Sequence, residues 1–189
     1  MAFLLFQIVV ISQQSNHKPE KYYIMKRIIP LLLISFILLL LSCNNQHSKI
    51  DRAAEIIAIE DVLESYVLAN ENQDFDLIQK IWAPDSDIIS YGTDSDERLM
   101  GWTNIRNAIK KQFSSIEDTY ISASNQFIKL NECGTTAWFA ETLDYNFVYN
   151  GEARVYKGLR FTGVLVKTDD HWHFVQAHLS LPATVNIGK

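Results

Sequence analysis

Cysteine is nearly absent from this 189-residue chain, which has two, Cys43 and Cys133. At most one disulfide could form, so no cross-linked framework holds the fold. Basic charge is also in deficit: 17 Lys and Arg stand against 22 Asp and Glu, for a net charge of −5. That balance argues against nucleic acid as a partner and against electrostatic adhesion to anionic lipid. There is no internal repeat, nucleophile elbow, phosphate-cradling glycine loop or zinc signature, so no cofactor is expected. His171 and His173 alternate to one face around Trp172, but no Cys, Asp or Glu stands at a matching spacing, and no metal is expected. Asp94, Asp96 and Glu97 lack the spaced ligands and closing Glu of a calcium loop.

One long hydrophobic run is present, Ile28 to Leu41, in which Ser35 is the single polar residue. A bilayer-spanning helix needs about 20 apolar residues, whereas the core of a secretory signal needs about 7 to 15. The run therefore predicts a signal core, and Met25-Lys26-Arg27 before it matches a positively charged signal start. An uncleaved transmembrane anchor is the other reading. The ending Leu40-Leu41-Ser42-Cys43 resembles the lipobox of bacterial lipoproteins. That resemblance implies cleavage before Cys43 and acylation of its thiol and freed amine, hence a lipid-anchored protein of the cell envelope, facing periplasm or exterior. Several acyl chains hold a membrane stably where one does not. Cys133 is then left without a partner, so no internal disulfide is expected. A second apolar stretch, Ala2 to Ile11, is too short to span a bilayer, and translation is expected to begin at Met25. Residues 1–42 thus read as a removed signal region, 43–49 as a polar tether and 50–183 as one domain.

Within the domain, Ala53, Ile56, Ile57, Ile59, Leu63, Tyr66 and Val67 recur at spacings of three and four, which predicts an amphipathic helix over 50–72. Asp74 can cap a short second helix that ends before Pro84. Asp87 to Tyr91 reads as a brief strand, 92–98 as a polar loop, and Gly101 opens a third helix carrying Ile105, Ala108, Ile109 and Phe113. Beyond Glu117 the period falls to two, predicting strands near 119–130, 135–149, 152–167 and 172–179. Three helices followed by long antiparallel strands make an α+β domain.

The run from Asn72 to Phe113, with its short Asp-containing helix, Ala83-Pro84-Asp85 turn and helix-opening Gly101, resembles the SnoaL-like branch of the nuclear transport factor 2 superfamily. The tail from Gly158 to Ser180 is similar to that family's final hairpin, with Trp172 after an acidic turn and His178-Leu179-Ser180 at the strand end. One departure is Asp170, where the family turn usually has Gly; Asp tolerates the left-handed conformation, so the turn can survive. The resemblance implies a cone-shaped fold with a ligand pocket between helices and curved sheet. It fixes no activity, because the superfamily holds isomerases, dehydratases, cyclases and hydrolases beside noncatalytic modules.

A constellation follows from turn geometry. Asn150-Gly151 as a two-residue turn sets Glu141 opposite Arg160, and a three-residue bulged loop at 168–170 sets Arg160 opposite His178. On the interior face, Glu141, Arg160 and His178 would form a row suited to a small carboxylate or carbonyl ligand, with Tyr91 adding a hydroxyl. On the outer face the same row would be a solvated cross-strand set, and Tyr91 half-buried packing. A two-residue loop at Asp169-Asp170 would break the row. The expected function is ligand binding without turnover; the alternative is an isomerase, dehydratase or hydrolase using a pocket His or Glu. Large apolar residues on both sheet faces (Leu143, Tyr145 and Phe147 on one; Trp138, Leu159, Phe161 and Leu165 on the other) predict a homodimer packed sheet to sheet.

Overall fold

The computed structural model describes residues 50–183. The run read as a signal, Cys43 and the segment read as a tether lie outside the described residues. Among those described, no helix is long and apolar enough to cross a membrane.

Helix α1 spans Arg52–Asn72. It starts two residues into the expected range because Asp51 caps it, its carboxylate accepting from the amides of Ala53 (3.2 Å) and Ala54 (3.1 Å). It stops at Gln73, whose left-handed backbone (φ 55) breaks the helical path. Ile59, Leu63, Tyr66, Ala69 and Asn70 form its buried stripe. Asp74 caps α2, Phe75–Ile81, by accepting from Leu77 N at 2.9 Å. Strands β1 (Ile89–Tyr91) and β2 (Arg98–Met100) follow, then α3, Trp102–Phe113. The polar loop read over 92–98 thus gives way at Arg98 to a short strand that was not expected; three residues of mixed polarity carry too little period to announce one.

Four long strands complete the chain: β3 (Ile116–Leu130), β4 (Thr136–Tyr149), β5 (Glu152–Thr168) and β6 (His171–Ser180). The sheet order is β2-β1-β6-β5-β4-β3, antiparallel throughout except where β1 runs parallel to β6. Asn150 (φ 51) and Gly151 (φ 76) make the two-residue turn expected of an Asn-Gly pair. Asp169 (φ 48) and Asp170 (φ 64) make a second one. The loop there is two residues, not three.

The inner face of the sheet carries an aromatic core against α1. Tyr66 stacks on Phe161 at 4.6 Å between centroids, and Phe139 meets Phe161 edge-on at 4.8 Å. Trp82, just beyond α2, packs on Phe174 at 5.3 Å. Leu143 pairs directly with Leu159, so these two share the inner face with Tyr145, Phe161 and Leu165, and Trp138 alone of the expected outer set points away. The division of apolar residues between the two faces is corrected accordingly.

The correction has one cause. Between Leu143 and Tyr145 the pairing with β5 slips by one residue, at a bulge holding Gly158 (φ 67). Asp144 Oδ1 accepts from Gly158 N at 2.9 Å, replacing the ladder bond lost there. Past the bulge, every β4–β5 pair is displaced.

Candidate functional site

Displacement breaks the expected row. Glu141 faces Phe161 and Arg160 faces Thr142, so the carboxylate and the guanidinium lie on opposite faces. A second bulge, between Phe174 and Gln176, combines with the two-residue turn to set His178 opposite Thr162 and Arg160 opposite Ser180. Arg160 and His178 remain on one face, the exposed outer one. Tyr91 joins them there: it pairs with His178, meets its ring edge-on at 5.8 Å, and its hydroxyl accepts from Arg98 Nε at 3.2 Å. Of the four expected ligand-binding residues, the structure keeps Arg160, His178 and Tyr91 in one neighbourhood and sends Glu141 inside, away from them.

Glu141 is the charged residue of the interior. It is 4 % exposed, and the other buried polar residues described are Asn70 and Ser90. No lysine or arginine is among them. Its Oε2 accepts from Gln126 Nε2 at 2.8 Å, while Oε1 is buried without a partner. A buried acceptor left unpaired costs free energy unless something donates to it or it carries a proton itself. Burial accordingly pushes the Glu141 carboxyl above the ordinary glutamate range, with the Gln126 hydrogen bond opposing the shift. The Tyr66 phenol is held far above its usual range, chiefly by burial and further by the neighbouring Tyr145 phenol and Glu141 carboxylate.

A second polar cluster lies beside this one and is satisfied. Tyr145 OH donates to Asn70 Oδ1 (3.3 Å) and accepts from Gln112 Nε2 (3.0 Å), while Asn70 Nδ2 donates to Tyr66 O (2.8 Å). This chain ties α1 and α3 to β4, which makes it scaffold. Glu55, on α1, is equally occupied: it accepts from Lys167 Nζ (2.8 Å) and Trp172 Nε1 (2.9 Å), clasping the helix to the β5–β6 hairpin. Glu141 is therefore a buried carboxyl with capacity unspent; Trp82 Nε1, Arg106 Nε and Thr119 Oγ1 are the other buried side-chain polar atoms without a partner among the described residues.

Two open grooves mark the described surface, one of 260 Å³ around Pro84–Ser86 and Met100–Asn104, the other of 340 Å³ around Ser114, Ser115 and the Asn150-Gly151 turn. Neither touches Glu141. Among the described residues no group of three His, Cys, Asp or Glu gathers to hold a metal. Missed from sequence were Gln126 and Tyr66, the two residues nearest in chemistry to Glu141. The helical stripe marks Tyr66 as inward-facing; nothing local marks Gln126.

The sequence profile of the SnoaL-like domain matches residues 59–184. No curated protein matches the sequence. Among solved structures, a nuclear transport factor 2-like superfamily protein from Salmonella enterica serovar Typhimurium aligns with a TM-score of 0.65 at 16% identity, over 72% of this chain and 97% of that one. A provisionally named scytalone dehydratase from Novosphingobium aromaticivorans gives 0.62 at 16% identity, over 72% and 90%. A provisionally named dehydratase from Streptomyces avermitilis gives 0.62 at 14%, over 70% and 99%. Identities this low speak for the fold alone. The profile match and the shared cone of helices and six-stranded sheet together place the chain in the SnoaL-like family, with the nuclear transport factor 2-like fold.

Proposed function

We propose that this domain binds a small neutral molecule bearing a carbonyl group, held between helices and sheet by the Glu141 carboxyl. The observation that carries the reading is the buried, unpartnered Oε1. A carboxyl with its proton on that oxygen is a donor aimed into an aromatic interior, and a carbonyl is the complementary acceptor. The sequence admitted a carboxylate ligand because Arg160 was expected inside. With Arg160 outside and no described lysine or arginine buried, an anion next to Glu141 would have no counter-charge.

Acetophenone and benzoate, matched in size, separate the two ligand classes by chemical-shift perturbation. The ketone shifts resonances of Phe139 and Phe161, and benzoate does not. Glu141→Gln keeps a donor and retains ketone binding, whereas Glu141→Leu loses it. Benzoate binding as well as the ketone, or Glu141→Leu binding normally, would sink the proposal.

A second reading is favoured by the same carboxyl. A buried acid with a raised titration point is suited to general acid–base work, and two of the fold neighbours bear dehydratase names. The acid or base is then Glu141 rather than His178, which faces outward. Turnover lost in Glu141→Gln with binding intact identifies this case.

The exported form follows the sequence: a domain tethered by lipid on Cys43 at the cell envelope. Its outer sheet face exposes Trp138 (45 %), Phe127 (57 %), Tyr91 and Met100, and the occupant proposed for that face is a second copy of the chain.

A further inference from the structure

The hydrogen-bond partner of Glu141 reaches solvent, whereas the side chains packed around it do not. Phe161 faces it across the ladder, Phe139 and Leu143 flank it along β4, and Tyr66 approaches from α1; all four are buried. Gln126, hydrogen-bonded to it, is exposed. The local backbone explains how an exposed residue meets a buried one. Strand β3 lies at the sheet edge, and its pairing with β4 slips between Ser124 and Phe127, leaving Asn125 and Gln126 opposite the single residue Glu141. Asn125 takes a left-handed backbone (φ 53) to make this bulge, which turns the Gln126 side chain inward over the edge.

We propose that Gln126 is a gate: solvent and ligand reach Glu141 sideways through the bulged edge of β3, when the Gln126 side chain swings off Oε2. An approach past Phe139, Leu143, Phe161 or Tyr66 requires displacing part of the aromatic core or α1. This one requires breaking a single hydrogen bond made by a side chain already in water, and edge segments outside the ladder open most readily. Gln126 is a positioning residue as well. By occupying Oε2 it leaves Oε1 as the oxygen that faces the interior. The inference takes from the proposed function only that Glu141 is the working group, and it can fail separately.

Carbodiimide-driven amidation of Glu141, followed by peptide mapping, tests the route with no ligand involved. Following the rate as a function of pH separates a change of access, which scales the whole profile, from a change of protonation, which moves it along the pH axis. In the full chain, Gln126→Ala and Gln126→Ser raise the labelling rate at Glu141 by about tenfold, as expected for removal of a gate at an edge. Phe113→Ala, which loosens the end of α3, leaves it unchanged. Gln126 is exposed, so its variants keep the fold, which thermal melting verifies. A labelling rate indifferent to Gln126, or raised by Phe113→Ala instead, overturns the lateral route. Ketone binding that fails in a protein whose labelling still depends on Gln126 would condemn the ligand and spare the gate.

Discussion

Gly163 and Phe139 pair across β4 and β5 so closely that a Cβ on the glycine would stand 2.5 Å from Phe139 Cε1 and 2.5 Å from the Gln176 carbonyl oxygen. The ring lies where a side chain would be. One of the two obstacles is backbone, which cannot step aside as a flexible side chain could.

Gly163→Ala is therefore expected to destabilise the domain by about 1–3 kcal/mol, the usual cost of overpacking a filled core. Chemical denaturation read by tryptophan fluorescence measures it. A wild-type midpoint would show that Phe139 has room to move.

The Glu141 carboxyl, pushed up by burial, carries its proton more readily folded than unfolded. The folded state then binds more protons in the window from the ordinary glutamate value, about 4.3, up to the raised folded value, so stability falls as pH rises through it. Melting temperatures across pH 4 to about 8 should slope downward in the wild type and more weakly in Glu141→Gln. An identical slope in both proteins would show that Glu141 does not titrate as its burial requires.

Glu55 acts in the opposite sense. Its hydrogen bond from Lys167 holds the carboxyl below the usual range, with burial opposing and the Trp172 indole adding to the shift. This contribution is present above the ordinary glutamate value and is lost as pH falls through the lowered one. Glu55→Gln should cost stability at neutral pH and progressively less in acid, by about 1 kcal/mol at most for so partly exposed a pair. Equal costs at pH 7 and about pH 3 would remove the ion pair from the account.

Trp138→Glu places a charge in the middle of the outer face. If two copies meet there, sedimentation at micromolar concentration reads a dimer for the wild type and a monomer for the variant, with circular dichroism unchanged. A monomeric wild type ends the proposal.

Cys43→Ser removes the expected lipid site. Metabolic labelling with a radioactive fatty acid should mark the wild-type chain and not the variant, which leaves the membrane fraction. No label in either chain, with both still in the membrane fraction, would return Ile28 to Leu41 to the status of an anchor, and equal labelling of both would take the lipid away from Cys43.

Much of the fold was legible because the signals were local. Asp51 and Asp74 cap the helices they precede, and Asn150-Gly151 turns as positive φ at both residues allows. The site was less legible because registry accumulates. One bulge displaced every pair beyond it and moved Arg160 away from Glu141. Gly158 was the available sign, since an isolated glycine within a strand marks a bulge. The slip after Phe174 has no such mark: Val175 is an ordinary strand residue. Gln126 could not be found from the chain because its bond to Glu141 crosses a hairpin and depends on the backbone of Asn125.

The parallel contact between β1 and β6 has a bearing on how the domain is made. Ile89–Tyr91 is synthesised long before His171–Ser180, and until then its one strand partner is the three-residue β2. Pairing of such distant segments is slow, and chains are delivered N-terminus first. Helices and β1 must wait, unclosed, for the last strand to arrive. A chain truncated after Thr168 would lose more than its last 21 residues: it would lose the element that joins its first half to its second, and would be a substrate for proteases rather than a smaller domain.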